Sequence, residues 1–273
     1  RKFMVVKDSI KMQSFKGYKS STIAGNININ TSLIVRQKLS DLPGINVESS
    51  PIRYYPYNNL ASSVLGYVSP IDDTQKENYE LKGYDVSSDL VGKSGIEYAF
   101  EDQLKGVKGG TTVKVNSQGR VTENLFELES APGNNVHLTI DRDIQYAAEQ
   151  ALTDGIENIK NNTVSELDGH RFLNATRGAL VAVEVKTGRI LSLVSYPNFD
   201  PNLFAVPGQL TSEQKKQFFN PDLEAFGKEY IKRMGLSKSV DDLFKDANGN
   251  WADLYDLYPK PFYNYATLGL IQP

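Results

Sequence analysis

The chain has 273 residues, of which 40% are hydrophobic and 23% are charged, and its formal net charge is −3. This supports one large or two ordinary soluble domains with a sizeable core, and the slightly acidic balance gives no basic field for binding nucleic acid. Cysteine is absent, which excludes disulfides, thiolate metal sites and a cysteine nucleophile. No window reaches the roughly 18–20 apolar residues that span a bilayer, and no signal peptide is visible. Because the sequence lacks an initiator methionine and a polar tail, we expect it to be a piece of a longer protein.

The first third of the chain mixes short strand-like runs with one helix. An apolar stripe over residues 33–39 predicts a helix that ends before Pro43-Gly44. Residues 64–68 have the composition of a short strand. Residues 111–115 alternate in polarity and predict a second strand, followed by a turn at residues 116–119.

Gly92-Lys93-Ser94 spells the end of a phosphate-binding loop. Such a loop needs a glycine five residues earlier, where this chain has Ser87. A helix start explains the triplet better, because Ser94 is a good N-cap and Glu97 has the spacing of a capping box. We therefore predict a helix over residues 94–106 and no nucleotide site.

The cluster A-P-G-N-N at residues 131–135 predicts a boundary between two domains, residues 1–133 and 134–273. Beyond it, residues 136–140 predict a strand, and Asp141 is expected to cap a long helix. The apolar residues of this helix recur at helical spacing and predict its buried face: Ile144, Ala147, Ala148, Ala151 and Leu152.

Two apolar runs, residues 178–185 and 189–195, are joined by Lys186-Thr187-Gly188. A three-residue connection with glycine at the left-handed position predicts a β-hairpin. Both faces of the hairpin are apolar, so we expect it at the centre of a sheet with helices on each side. The combination of sheet and covering helices predicts the α+β class.

Some patterns suggest chemistry but have simpler explanations. The K-T-G at residues 186–188 is the tip of the hairpin, and it precedes Ser212-Glu213-Gln214-Lys215, whereas serine enzymes of this type have the reverse order and an S-x-N as well. The D-A-N-G-N run at residues 246–250 begins a segment that has Trp251 and Leu257 at the sixth and twelfth positions, where a calcium loop needs a glycine and a glutamate. His137 and His170 are the only histidines, and we expect both to be structural or solvent-exposed.

Five stretches between residues 53 and 202 follow one another in a fixed order. They are R-Y-Y-P with L-G-Y-V (53–56, 65–68), D-L-V-G-K-S-G-I-E with L-K-G (89–97, 104–106), L-T-I-D with Q and A-E (138–149), the hairpin (178–195), and Y-P-N-F-D-P-N (196–202). Together they resemble the class B penicillin-binding proteins, the single-function transpeptidases of bacterial cell-wall synthesis. The motif residues for which this resemblance implies a structural role are Arg53, Pro56, Gly92, Gly95, Glu97, Asp141 and Gln145.

The end of the chain, residues 264–273, resembles the stretch that leads into the P-G-S-T-F-K motif of this family, in which serine is the nucleophile. The resemblance implies that the catalytic serine lies two residues beyond Pro273, with its S-x-N and K-T-G partners further on. This chain is then expected to hold no catalytic residue of its own. Asn264, Gln272 and Pro273 would lie next to the active site.

The family resemblance further implies an elongated N-terminal pedestal of the dimerisation type over residues 1–133. The first part of a transpeptidase domain would follow over residues 134–273, with an insertion at about 207–260. The sequence departs from the family pattern at Tyr57-Asn58, in the length of this insertion, and in lacking the R-G-x-I-x-D-R stretch near the start. Its layout is closer to the elongation-type members than to the septal ones. We also hypothesise that Arg53 and Glu97 fix the pedestal against its neighbour.

The activity implied by the resemblance is cross-linking of peptidoglycan stem peptides through an acyl-serine, with β-lactams acylating the same serine and no metal or organic cofactor. Implied partners are a membrane glycan polymerase and shape-determining proteins, without nucleic acid. A single-pass anchor upstream would hold the bulk of the protein outside the cytoplasmic membrane. Two alternatives stay open: a non-catalytic scaffold with a degenerate transpeptidase fold, and a septal or sporulation-specific paralogue.

Overall fold

The computed structural model describes residues 7, 23–49, 51–86, 88–117, 121–162, 164, 169, 172–206, 208–246, 248–251 and 258–269. Its helices are α1 (Ile29–Gln37), α2 (Ser62–Leu65), α3 (Lys76–Leu81), α4 (Gly95–Ala99), α5 (Glu101–Leu104), α6 (Arg142–Asn162), α7 (Asn202–Ala205), α8 (Ser212–Phe219), α9 (Leu223–Met234), α10 (Val240–Phe244) and α11 (Tyr265–Leu268). Its strands pair as antiparallel hairpins or ribbons: β1 (Val68–Pro70) with β2 (Leu90–Gly92), β3 (Gly110–Val115) with β4 (Val121–Leu128), and β5 (Gly178–Val183) with β6 (Ile190–Tyr196). The predicted α+β class is confirmed. Within these described ranges, none of the helices combines the length and the apolarity needed to span a bilayer.

Contacts within the chain divide it into two units. The first unit consists of Arg1–Ile52 and Phe100–Val136, and the second of Arg53–Ala99 and His137–Pro273. In the first unit, β3 and β4 pair with two irregularities in register, and the predicted strand over residues 111–115 is confirmed. The first unit is therefore discontinuous in sequence.

In the second unit, β1 and β2 pair from Val68↔Gly92 to Pro70↔Leu90. The strand predicted over residues 64–68 is wrong except at its last residue, because residues 62–65 form α2. Gly66 ends that helix in a left-handed conformation (φ +79°), and its N–H donates to the carbonyl of Ser62. The chain can extend into β1 only after this turn.

Helix α6 begins where the sequence predicts. The Asp141 carboxylate accepts the backbone N–H groups of Asp143 and Ile144, both at 3.0 Å, and so caps the helix. The predicted buried face is partly wrong, because Ile144 is 40% exposed. The buried residues of α6 are Gln145, Ala148, Glu149 and Ile156. The buried face is thus rotated from the predicted one and includes two polar residues, Gln145 and Glu149.

Strands β5 and β6 form the predicted hairpin, in register from Gly178↔Tyr196 to Val183↔Ile190. Helix α6 covers the face of the hairpin that carries Gly178, where a Cβ added to Gly178 would lie 3.1 Å from Ile156 Cδ1. Among the described residues, no element covers the opposite face near the hairpin tip, where Val181 and Val183 are 48% and 50% exposed. We expected helices on both faces of the hairpin, but in the described structure one face is exposed near the tip. Apolar residues on a strand face predict that the face is buried, but they do not identify the element that buries it.

Two other predicted elements differ from the structure. Residues 136–140 form no strand, and near their end the Thr139 hydroxyl and the Asp141 N–H donate to the carbonyls of Ile190 and Leu191 in β6. The helix predicted over residues 94–106 is broken at Phe100, whose backbone (φ −113°, ψ 22°) is not helical. Short helices α4 and α5 lie on either side of this break.

An aromatic cluster lies in the second unit. The ring of Tyr67 lies 5.7 Å from that of Phe199, 4.6 Å from that of Phe204 and 4.9 Å from that of Phe262. Two phenylalanines of α8 extend the cluster, with ring centroids 5.5 and 5.6 Å from Phe262. These contacts join residues from widely separated parts of the chain, so the cluster depends on the whole unit being folded.

Three helices, α8, α9 and α10, lie within the predicted insertion at about 207–260. Helix α8 starts with a complete capping box between Thr211 and Gln214. Helices α9 and α10 enclose a small apolar cluster of their own: Val240, Phe244, Leu223, Phe226, Tyr230, Ile231, Leu243 and Trp251. The ammonium group of Lys245 lies 4.7 Å from the centre of the Trp251 ring.

Candidate functional site: a buried polar network in the second unit

The R-Y-Y-P and G-x-x-G-x-E motifs meet through an ion pair. Arg53 Nε donates to Glu97 Oε1 at 2.6 Å, and the Tyr55 hydroxyl donates to the same oxygen at 3.0 Å. Glu97 is 5% exposed, so its carboxylate depends on these two donors rather than on bulk water. The side chain of Glu97 therefore turns into the interior instead of completing the predicted capping box.

The two donors keep their protons at neutral pH. Burial lowers the pKa of Arg53, but the hydrogen bond from Arg53 to Glu97 and the charge of Glu97 outweigh it, so that the net pKa lies above the ordinary value. Burial and the neighbouring Glu97 carboxylate both raise the pKa of Tyr55. Arg53 is therefore cationic and Tyr55 is a neutral hydroxyl donor at neutral pH.

The glycines of the motif allow two backbones to touch. A Cβ at Gly92 would lie 2.1 Å from the carbonyl oxygen of Glu97, and a Cβ at Gly95 would lie 2.4 Å from that of Val64. Gly95 also has φ +58°, which disfavours any residue with a side chain. Pro56, the other rigid motif residue, lies in an exposed turn after Tyr55. The G-x-x-G spacing is thus explained by close packing and needs no phosphate.

The side-chain amide of Gln145 joins α6 to β6 by making the two backbone hydrogen bonds that a neighbouring strand would make. Its Nε2 donates to the carbonyl of Leu193 at 3.1 Å, and its Oε1 accepts the N–H of Leu193 at 2.9 Å. The same Oε1 accepts the hydroxyl of Ser192 at 3.0 Å. Gln145 is 1% exposed, so the amide replaces a strand partner in a place that water does not reach. This pairing also explains why the buried face of α6 is rotated.

Glu149, one turn further along α6, connects three segments. Its Oε1 accepts the backbone N–H of Ala61 at 2.7 Å and Gln145 Nε2 at 2.8 Å, and its Oε2 accepts Asn198 Nδ2 at 3.3 Å. Glu149 is 8% exposed. Its charge is held by amide donors, an arrangement that fixes the segment around Ala61 against α6.

Asn202 makes a second amide pairing of the same kind. Its Oδ1 accepts the backbone N–H of Tyr55, and its Nδ2 donates to the carbonyl of Tyr55, both at 2.9 Å. The Asp200 carboxylate accepts the backbone N–H and the Nδ2 of Asn202, also at 2.9 Å, and so orients the amide. The D-P-N motif therefore binds the backbone of the R-Y-Y-P motif.

Asn264 begins the last described helix, α11. Its Oδ1 accepts the N–H of Ala266 at 3.1 Å, and its Nδ2 donates to the carbonyl of Ser63 at 3.2 Å. Gln272 and Pro273 lie outside the described residues, so their expected place beside an active site stays a prediction. The same holds for the serine expected beyond Pro273.

One set of hydrogen bonds joins Arg53, Glu97 and Asn202 through Tyr55, and another joins Gln145 to Glu149. Of these residues, Tyr55, Glu149 and Asn202 were not among the predicted site residues. Glu149 belongs to the quoted A-E motif, and its polarity on a buried helix face is the signal that could have singled it out. Asn202 had only the D-P-N motif as a signal. The network binds backbone groups across segments, and this fixes their relative positions.

The patterns set aside in the sequence take structural roles. Ser212 and Lys215 lie in the first turns of α8, and Thr187 at the hairpin tip hydrogen-bonds Glu184. Asp246 accepts the N–H groups of Asn248 and Asn250 at 2.8 and 2.9 Å and so forms a surface turn. In the described part of the chain, no three His, Asp or Glu side chains are grouped so that they could hold a metal ion.

Comparisons with known proteins agree with this arrangement. The family model of the penicillin-binding protein dimerisation domain matches residues 4–138. The peptidoglycan D,D-transpeptidase MrdA of Acinetobacter baumannii is 30% identical over 201 residues, which cover 72% of this chain and 26% of that protein. The protein of the same name from Escherichia coli K12 is 31% identical over 202 residues, covering 72% of this chain and 28% of that protein. The chain thus spans little more than a quarter of the length of these relatives.

Solved structures show the same fold. A complex of penicillin-binding protein 2 with MreC from Helicobacter pylori matches with a TM-score of 0.53 and 23% identity, covering 80% of this chain and 39% of that one. A peptidoglycan synthase complex described as coordinating polymerization and crosslinking matches with a TM-score of 0.53 and 27% identity, covering 80% of this chain and 37% of that one. On these matches, the chain belongs to the class B penicillin-binding proteins of the elongation type.

Proposed function

We propose that the whole protein is a peptidoglycan D,D-transpeptidase that works through an acyl-serine intermediate. The observation that carries the proposal is the 30–31% identity to D,D-transpeptidases over 72% of the chain. The buried network adds support, because the residues that match the family motifs are the ones that hold the segments of the second unit together.

In the proposed reaction, the serine expected beyond Pro273 attacks the carbonyl carbon of the penultimate D-alanine of a stem peptide. The lysine of its S-x-x-K motif removes the hydroxyl proton, backbone N–H groups stabilise the oxyanion, and the terminal D-alanine leaves as its amine takes up a proton. An amine of a neighbouring stem peptide then attacks the ester and forms the cross-link, which releases the serine. β-Lactams acylate the same serine, and the reaction uses no metal or organic cofactor.

Labelling with a fluorescent penicillin tests this function. The full-length protein should be labelled on one serine, two residues after the position of Pro273, and the label should disappear when that serine is replaced by alanine. Pre-treatment with unlabelled penicillin is the matched competition control. A full-length protein that is folded but unlabelled would refute the transpeptidase and favour the scaffold alternative.

The domain arrangement belongs to the same proposal. A pedestal over residues 1–133 is supported by the family match to residues 4–138, and a transpeptidase part would follow over residues 134–273. Residues 53–99 of the pedestal nevertheless pack in one unit with residues that follow position 137. We propose that Arg53 and Glu97 stabilise this packing, and that a membrane anchor upstream of the chain holds the bulk of the protein outside the cytoplasmic membrane.

A glycan polymerase is the proposed partner, supported by the likeness to the peptidoglycan synthase complex. The proposal of a shape-determining partner depends on the family resemblance. Co-purification of the full-length protein from membranes with a glycan polymerase would support this assembly. Purification of the protein alone, under conditions that preserve a known synthase complex, would contradict it.

A further inference from the structure

A single buried hydroxyl holds the chain on both sides of Asn264. Ser195 Oγ, in strand β6, donates to the carbonyl of Tyr263 at 3.1 Å and accepts the N–H of Tyr265 at 2.9 Å. Ser195 is 2% exposed, so water has little access to replace either bond. Because one atom serves as donor and as acceptor, the two peptide groups are held at a fixed separation from β6.

Asn264 itself is held from another direction. Its Nδ2 donates to the carbonyl of Ser63, near the end of α2. Its backbone carbonyl accepts the N–H of Leu268 at 2.8 Å as the first hydrogen bond of α11, and its Oδ1 caps the helix. The start of α11 is therefore tied to β6 on one side and to α2 on the other.

Two aromatic side chains close to Asn264 in the sequence, Phe262 and Tyr265, also hold the start of α11 in place. Phe262 is inserted in the aromatic cluster, 4.9 Å from the rings of Tyr67 and Phe199. The hydroxyl of Tyr265 accepts the N–H of Lys260 at 3.0 Å. The bonds to Ser195 thus complete a set of contacts that fix the position and direction of the helix start.

We infer that Ser195 is a positioning residue for the proposed acylation. This inference rests on the proposed function, in which the nucleophilic serine follows α11 in the chain. Ser195 touches no reacting atom; it acts through the backbone of residues 263–265, whose attachment to β6 sets the position and direction of the start of α11. A misplacement of about 1 Å in an active site costs about a hundredfold in rate, so loosening this attachment should slow acylation.

The test compares Ser195→Ala with Ser192→Ala in the full-length protein. Ser192 is a matched control because it is a fully buried serine of the same strand, it bonds Gln145 rather than residues 263–265, and it is 0% exposed. The readouts are the amplitude and the rate constant of labelling by fluorescent penicillin. A purely structural loss lowers the amplitude, because fewer molecules are folded, whereas a positioning loss lowers the rate constant of the molecules that are folded.

We expect the acylation rate constant to fall about tenfold or more in Ser195→Ala at near-full amplitude. It should stay within about twofold of wild type in Ser192→Ala, and Ser195→Thr, which keeps the hydroxyl, should recover most of the rate. If Ser195→Ala does not fold, Ser195→Cys supplies the second test, since a thiol keeps the shape of the side chain but is only a weak donor and acceptor, and its acylation rate constant should also fall. Equal rate constants for Ser195→Ala and Ser192→Ala would overturn the inference alone. An unlabelled wild type would overturn the proposed function and the inference together.

Discussion

Replacing Gln145 by glutamate should destabilise the protein far more than an equally conservative change elsewhere. The substitution keeps the shape of the side chain but removes the two donors of Nε2. The carbonyl of Leu193 loses its partner, and a carboxylate is placed at the position that now lies 2.8 Å from Glu149 Oε1. Loss of a charge-assisted hydrogen bond costs about 1.5–3 kcal/mol, and a buried acceptor without a donor costs about 1–3 kcal/mol more. The free energy of unfolding should therefore fall by about 2.5–6 kcal/mol.

Thermal unfolding followed by far-ultraviolet circular dichroism measures this effect. At about 2–4 °C per kcal/mol for domains of this size, the midpoint should fall by on the order of 10 °C. Gln150→Glu is the matched control, because Gln150 is exposed on the same helix. The deficit of Gln145→Glu should shrink as the pH is lowered, because protonation of the introduced carboxyl removes its charge and restores a donor. If the midpoints of the two variants differ by less than about 2 °C at neutral pH, the pairing of Gln145 with β6 is not what holds α6 in place.

Further substitutions test other contacts of the second unit. Asn202→Asp leaves the carbonyl of Tyr55 without its donor and should lower the free energy of unfolding by about 2 kcal/mol, seen as a lower urea midpoint; an unchanged midpoint would contradict the amide pairing. Gly92→Ala forces a Cβ to within 2.1 Å of a backbone carbonyl and should lower the free energy of unfolding by about 3 kcal/mol, whereas Gly155→Ala, in open space on α6, should raise it by up to about 1 kcal/mol; similar effects of the two substitutions would refute the close packing at Gly92. Burial, with a smaller effect of a nearby aspartate, raises the pKa of Tyr67 to about 12, above the value of about 10 in the unfolded chain. The unfolded state therefore loses this proton first, and stability should fall as the pH rises from about 10 towards 12. Tyr67→Phe should lessen that alkaline loss, and an identical pH profile would exclude Tyr67 as a cause.

Local signals in the sequence were sufficient for the elements whose ends are set by nearby residues. Asp141 caps α6 as predicted, and Gly188 turns the hairpin between β5 and β6 with φ +73°. These features depend on a few neighbouring residues, so composition and spacing identify them. Prediction failed where distant contacts decide, as at Glu97, whose side chain bonds Arg53 rather than the start of its own helix.

The candidate site was predictable as a set of motifs but not as a geometry. The family resemblance singled out Arg53, Glu97 and Gln145, yet nothing in their spacing indicates which atoms meet. Apolar periodicity assigned the buried face of α6 to its alanines and leucine, whereas the buried face includes Gln145 and Glu149. Polar residues are buried there because strand backbone and loop N–H groups supply their partners, and such partners become visible only in three dimensions.

The small apolar cluster of α9 and α10 has a spectroscopic consequence. Trp251 is the sole tryptophan of the sequence and packs in that cluster beneath Lys245. Its emission is consequently sensitive to the polarity and motion of this one helical insertion, while the fifteen tyrosines are distributed along the chain. Tryptophan fluorescence, excited at the red edge of the absorption band where tyrosine absorbs little, therefore reports the unfolding of the insertion separately from that of the rest of the molecule, without any added dye.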